Sequence, residues 1–213
     1  DLALAAFHAL DPEIAQGLDA LRQLEVVDLE DRPHKMICRG CNSLFGHKEP
    51  FLFGSLGGGR SDIAMLAHQM GHVLQWCEVH GWWRAPKPPL LDGLWAPDDV
   101  SEVHGYGLQL LVLPHLDAWV GTAAATVRRA MLADLLSNVV ETAALAAFEG
   151  VIHQHPEWSA ADFDGCWRDV EAAFMPWRQA GNIPHLVSGK GWQRHTQLLT
   201  APRSNLAHLI GVL

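Results

Sequence analysis

The chain has 213 residues, 49% of them apolar, and a formal charge of −9 at pH 7. That length buries a sizeable core in one compact domain spanning 1–213, while the negative balance argues against a nucleic-acid or anionic-membrane partner. Runs of eighteen or more apolar residues are all broken by charge, and residues 1–20 lack the basic-then-apolar order of a signal peptide, so the expectation is a cytoplasmic protein that does not cross a membrane.

Apolar residues at helical spacing run from about Leu2 to Leu24, and Asp11-Pro12 is a cap and first-turn signal that starts a second helix. Brief apolar runs at Met36 to Cys38 and Phe51 to Phe53, set among Gly and Pro, suit two strands of a small ribbon. The four cysteines, Cys38, Cys41, Cys77 and Cys166, are scattered in the manner of reduced thiols. Cys38 and Cys41 form a lone CxxC with no second pair of ligands behind it, so packed thiols are expected there rather than a structural metal. Gly57-Gly58-Gly59 makes a turn, and Ser61 is the N-cap candidate of a helix that continues to about His80 and ends at Gly81.

Residues 82–97 are rich in Pro and carry Trp82, Trp83 and Trp95, which reads as an ordered loop held by its aromatics. Asp98 or Asp99 is positioned to cap a helix over about 99–113, which Pro114 closes. Two stretches rich in Ala and Leu follow, at about 123–154 and 160–173, divided by Pro156 and the cap candidate Ser159. The tail from Pro176 is irregular until a short helix near 203–212. The class is mainly α with a small β ribbon.

His68-Gln69-Met70-Gly71-His72 places two imidazoles at i and i+4 in an otherwise apolar helix, on one face and one turn apart. Two ligands of one tetrahedral zinc need that spacing. Glu102, in the first turn of a separate helix, is a candidate third ligand for a His₂Glu site that keeps a position open for water. The ordinary readings are two half-buried histidines satisfied by hydrogen bonds and a first-turn acid favoured by the helix dipole. Spacing alone leaves both readings open.

The run Leu66-Ala67-His68-Gln69-Met70-Gly71-His72-Val73-Leu74-Gln75 resembles the zinc helix, LxHExGHAxQ, of the oligoendopeptidase F and thimet oligopeptidase family of zinc metallopeptidases, which are gluzincins. Asp28 to Lys35 is similar to that family's DLxxRxxK segment, and Pro50-Phe51 to Phe53 to the strand bordering its substrate cleft. Ser101-Glu102-Val103-His104 is similar to its EIH motif, and Gly191-Trp192-Gln193-Arg194 to the run before its substrate-binding loop. The resemblance covers about 28 to 202. It implies a helical zincin-type catalytic domain with the β ribbon beside the metal helix, zinc on His68, His72 and Glu102, and His104 lining the site. It also implies that the family's large N-terminal lobe has no counterpart here.

Gln69 departs from that pattern, because the family has there a Glu that takes a proton from the zinc-activated water. A carboxamide has nearly the same shape but no usable pKa. Two origins are open: a natural glutamine, or the exchange an experimenter makes to trap a substrate complex. The family's His and its Pro-Phe-Tyr-Tyr-x-x-Tyr stretch align with Gln197, then Pro202-Arg203-Ser204-Asn205, then His208, and Tyr106 is the only tyrosine in the chain. Arg203, His195 and His208 are therefore the candidate substitutes as oxyanion donors.

The leading expectation is a zinc-dependent hydrolase of the metallopeptidase type, acting on an amide of a short peptide or small metabolite, with a homodimer left open. The alternatives are a lyase, isomerase or Fe(II) oxygen-using enzyme on the same scaffold, since two His and one carboxylate also suit Fe²⁺, and a catalytically silent metal-containing peptide-binding protein.

Overall fold

The structure, a computed structural model, describes residues 2–36, 40–43, 49–80, 97–178, 181 and 183–213. It is mainly helical with one small sheet, and the chain divides into two compact units, Asp1–Leu132 and Ala133–Leu213. Cys38, Gly81 and residues 82–96 of the loop expected over 82–97 lie outside the described residues.

Unit 1 opens with α1 (Leu2–Leu10) and α2 (Pro12–Gln23). Their junction is the one expected: the Asp11 side chain accepts from the Glu13 amide, and Pro12 sits at the first helical position. Phe7, fully buried, meets Trp119 edge to face at 5.3 Å. Among the described residues the sheet has three strands, where two were expected: β1 (Val27–Asp28), β2 (Gly40–Ser43) and β3 (Pro50–Phe53) in the order β1-β3-β2, with β1 parallel and β2 antiparallel to β3. Met36 lies outside any strand, the rest of the run expected over 36–38 lies outside the described residues, and β2 pairs with β3 over Gly40–Ser43. Leu52 at the centre of the sheet is fully buried.

A knot of charge ties the segment after β1 to the end of β3. The Lys35 ammonium donates to the Asp28 carboxylate (2.8 Å) and to the carbonyls of Asp28, Glu30 and Gly54, and stands 4.6 Å from the Phe53 ring centre. Arg32 grips the same carboxylate with both nitrogens, at 2.6 and 2.7 Å. The Arg32 hydrogen bonds, and then those of Lys35, hold the Asp28 carboxyl well below the usual carboxylate range. A group whose folded pKa is depressed contributes stability above its unfolded pKa, and that contribution is lost as pH falls through the folded value. The wild type should therefore exceed Asp28→Asn in urea midpoint at neutral pH, and the gap should close progressively below about pH 4; a gap independent of pH would show the knot to be inert.

The next helix, α3 (Arg60–His80), begins one residue before Ser61, which is not its cap. Asp62, in the first turn, reaches back instead, its carboxylate accepting from the amides of Gly58 (2.6 Å) and Gly59 (2.9 Å) just ahead of the helix. Leu66, Met70, Val73 and Cys77 form one buried stripe of α3, while His68, His72 and Gln75 lie on the opposite side. That second side receives α4 (Asp98–Leu111), so α3 is covered on both faces. Neither Asp98 nor Asp99 caps α4; Pro97 holds that position, and the acids sit in the first turn. A short helix, α5 (Asp117–Val120), leads to α6 (Ala124–Ile152), which runs on into unit 2.

Unit 2 packs α6 with α7 (Ala160–Phe174) and α9 (Gln197–Thr200) around Phe148 and Trp167, and also carries α8 (Pro184–Val187) and α10 (Ser204–Val212). Ser159 caps α7 as expected, with Asp162 returning the hydrogen bond. By length and composition Asp117–Ile152 suffices to cross a membrane, which the sequence reading did not anticipate. Three of its charged residues are nonetheless engaged within the protein. Arg128 donates to the Leu113 carbonyl, Glu141 is paired with Arg178 and Arg194, and Glu149 is buried against the Arg203 amide.

Candidate metal centre

The metal-ligand candidates come together where α3 and α4 cross. Gly71 and Gly105 set the closeness of that crossing. A Cβ on Gly71 would lie 2.2 Å from the His104 carbonyl oxygen and 2.7 Å from the Gly105 Cα. A Cβ on Gly105 would fall 2.6 to 2.9 Å from three atoms of the His68 ring. The glycine of HxxGH is thus a steric requirement of the helix pair. Gly71→Ala should destabilise the protein by at least about 3 kcal/mol, the upper end of overpacking penalties, against the roughly 1 kcal/mol that Ala gains over Gly as a helix former. A urea titration measures it, and a neutral or stabilised variant would refute the contact.

At the crossing, His68 Nε2 lies 3.1 Å from His72 Nε2 and 3.3 Å from Glu102 Oε2, and His72 Nε2 lies 3.7 Å from Glu102 Oε1. Ligand bonds of 2.0–2.1 Å at tetrahedral angles give ligand-to-ligand edges of about 3.3–3.4 Å, so the three donors are spaced as three corners of such a site. They form the one His/Cys/Asp/Glu group of this kind among the described residues, and all three are partly buried. The His68 ring stands edge to face on Tyr106 at 4.7 Å, and Tyr106 is buried.

Gln69 follows His68 on α3. Its Oε1 is buried and, among the described residues, has no hydrogen-bond partner. A buried carbonyl oxygen left this way is costly unless something donates to it. Beside the triangle, Ser101 Oγ stands 3.0 Å from His72 Nδ1 and donates to Gln75 Oε1 at 2.8 Å.

His104 does not line the site with its ring, contrary to expectation. Two residues past Glu102 is about 200° around a helix, so its side chain is exposed and its Nδ1 meets the Val100 carbonyl at 2.9 Å. Its backbone, where Gly71 rests, is what it brings to the crossing. The remaining candidates belong to unit 2. His195 is half-buried, its Nε2 accepting from Arg194 Nε at 3.1 Å; burial, then the Arg194 charge, push its pKa below the ordinary value. Arg203 has a left-handed backbone (φ 68°) and gives its amide to Glu149 at 2.5 Å, while its side chain is exposed. His208 lies on α10. Burial pushes the Cys41 thiol up to about 12, which keeps it protonated.

Sequence reasoning missed Ser101, Gln75, Tyr106 and Gly105 as site residues. For three of them a helical projection of 101–108 would have found the signal, since Ser101, Gly105 and Leu108 share a face and Tyr106 lies one turn beyond Glu102.

No protein-family model matches the chain, and no curated protein does. Among solved structures it is similar to an oligoendopeptidase F determined by X-ray at 3.1 Å, with 24% identity and a TM-score of 0.88 over 99% of this chain and 36% of that one. It is also similar to PZ peptidase A with inhibitor 2, at 21% identity and TM-score 0.88 over 99% of this chain and 36% of that one. An oligoendopeptidase F from Bacillus anthracis str. Ames matches at 18% identity and TM-score 0.71, over 100% of this chain and 39% of that one. The chain thus spans under two-fifths of the length of these structures. The likeness establishes the fold: a helical domain of the kind found in these peptidases.

Proposed function

We propose that residues 1–213 act as one catalytic domain of a metal-dependent hydrolase of the metallopeptidase type, cleaving an amide bond in a short peptide or small metabolite. The observation that carries this reading is the triangle of His68, His72 and Glu102, with edges of 3.1, 3.3 and 3.7 Å at a crossing that glycines hold closed. The peptidase fold of the similar structures supports it. A zinc-type ion held there would supply Lewis acidity toward a carbonyl and acidify a water to near neutrality.

The chain's own residues would do the rest. Gln69 presents a buried acceptor that can orient a water by hydrogen bonding but cannot remove its proton. Tyr106 and Gly105 wall the His68 ring so that its Nε2 stays on the triangle. β2 is an edge of the sheet, pairs only with β3 among the described residues, and runs against α3. An extended peptide adding to such an edge gains main-chain hydrogen bonds, which supports a peptide as substrate.

Gln69 also favours a second reading. A site without a general base suits a metal centre of other chemistry, and two His with one carboxylate accept Fe²⁺ as well as Zn²⁺. Elemental analysis of the purified protein, with hydrolysis of a fluorogenic peptide before and after chelation, separates the two. Zinc at one equivalent and chelator-sensitive cleavage support the hydrolase; iron with redox activity would overturn it. A cytoplasmic location and a homodimer are part of the same proposal.

A further inference from the structure

His68 and His72 are aimed at the triangle by different means. His68 is held by packing against Gly105 and Tyr106, whereas His72 is held by a hydrogen-bond chain through Ser101 to Gln75. A hydroxyl has one proton to give. Ser101 gives its proton to Gln75 Oε1, so toward His72 it can only accept. The proton of the neutral His72 ring must then sit on Nδ1, which leaves the Nε2 lone pair facing His68 and Glu102.

Gln75 decides the direction of this chain. It is 8% exposed, and its amide nitrogen is buried without a hydrogen-bond partner among the described residues. Turned about, its nitrogen would donate to Ser101, Ser101 would donate to Nδ1, and the ring proton would move to Nε2, where it blocks ligation. The observed orientation, oxygen toward Ser101, is the one that frees Nε2. We propose that Ser101 and Gln75 are positioning residues that hold His72 in the Nδ1–H tautomer, making its Nε2 ready for a metal ion; this rests on the metal-centre reading above. Hydrogen-bond partners of ligating histidines fix tautomer and ring orientation and raise basicity, and their loss typically costs about 10–100-fold in metal affinity.

Two measurements on the full chain test it, neither of them activity. In ¹⁵N-histidine NMR spectra of the metal-free protein at about pH 8, where unperturbed imidazoles are neutral, His72 should show the Nδ1–H pattern, and S101A should mix the tautomers. In chelator competition, S101A and Gln75→Met should bind zinc about 10–100-fold more weakly than the parent. Ser101→Thr should recover most of that loss, as should Gln75→Glu, whose ionised carboxylate can only accept. S101A is a small change to a good helix former, and Ser101→Thr guards against a folding artefact. An Nδ1–H signal and zinc affinity that S101A leaves unchanged would overturn this proposal alone. A parent that binds no zinc overturns the metal centre as well.

Discussion

Gln69→Glu should raise the rate of amide hydrolysis by roughly 10²–10⁴-fold, the range a positioned general base contributes. The two side chains have nearly the same volume, and the position already holds a buried oxygen with no hydrogen-bond partner among the described residues, so glutamate enters without repacking. The gain should appear in kcat, because the base acts on the reacting water and not on substrate binding. The pH profile should change shape too: a base works only when deprotonated, so the variant acquires an acidic limb, its rate climbing with pH through the new carboxyl's pKa. Burial raises that pKa and a neighbouring cation lowers it. A variant that holds metal yet remains as inert as the parent on a panel of peptides and acyl amides would favour a protein that binds without cutting.

Removing a ligand should have the other large effect. His72→Ala takes away one of three corners, and its zinc affinity should fall by more than the roughly 10–100-fold that loss of a supporting hydrogen bond costs. Stability gives an independent reading of the same event. Zinc at about a thousandfold over its Kd stabilises a folded protein by roughly 4 kcal/mol, which for a chain of this size corresponds to a rise of about 8–16 °C in Tm. The parent should show that rise on adding zinc and lose it on chelation, whereas His72→Ala and Glu102→Ala should melt at the same temperature with or without the metal. A ligand variant that keeps the full zinc-dependent rise would move the centre elsewhere.

Both results concern features that differ in how visible they are along the chain. The His68–His72 pair is legible because its geometry is local: four residues of helix put two rings one turn apart. Glu102 is legible only by analogy, since thirty residues separate it from His72 and what brings it back is the close crossing at Gly71 and Gly105, a property of two helices jointly. His104 was placed on the site by resemblance, and the helix turns its ring about 200° away from Glu102, out to solvent. Ser61 was misjudged because a side chain two residues into the turn, Asp62, reaches back to two glycine amides more effectively than the serine that looks like a cap. The long Ala and Leu helices and the Ser159 cap were plain, being set by period and by one hydrogen-bonding pair. β1 spans two residues, too few to show any alternation, and its existence depends on pairing with a strand more than twenty positions away.

The glycine crossing also bears on which ion the triangle would accept. The added Cβ at position 71 would sit about 1 Å inside ordinary contact, 2.2 Å against 3.4 Å, and relief of that clash must push α4 off α3 by a comparable amount. Metal sites tolerate departures of about 0.2 Å in ligand distance. A displacement several times larger would open the donor triangle toward the longer bonds of an ion such as Ca²⁺, which two imidazoles serve poorly. Ionic radius would then be gauged by two residues that touch no metal, and a protein engineer wishing to retune the ion would begin at the glycines.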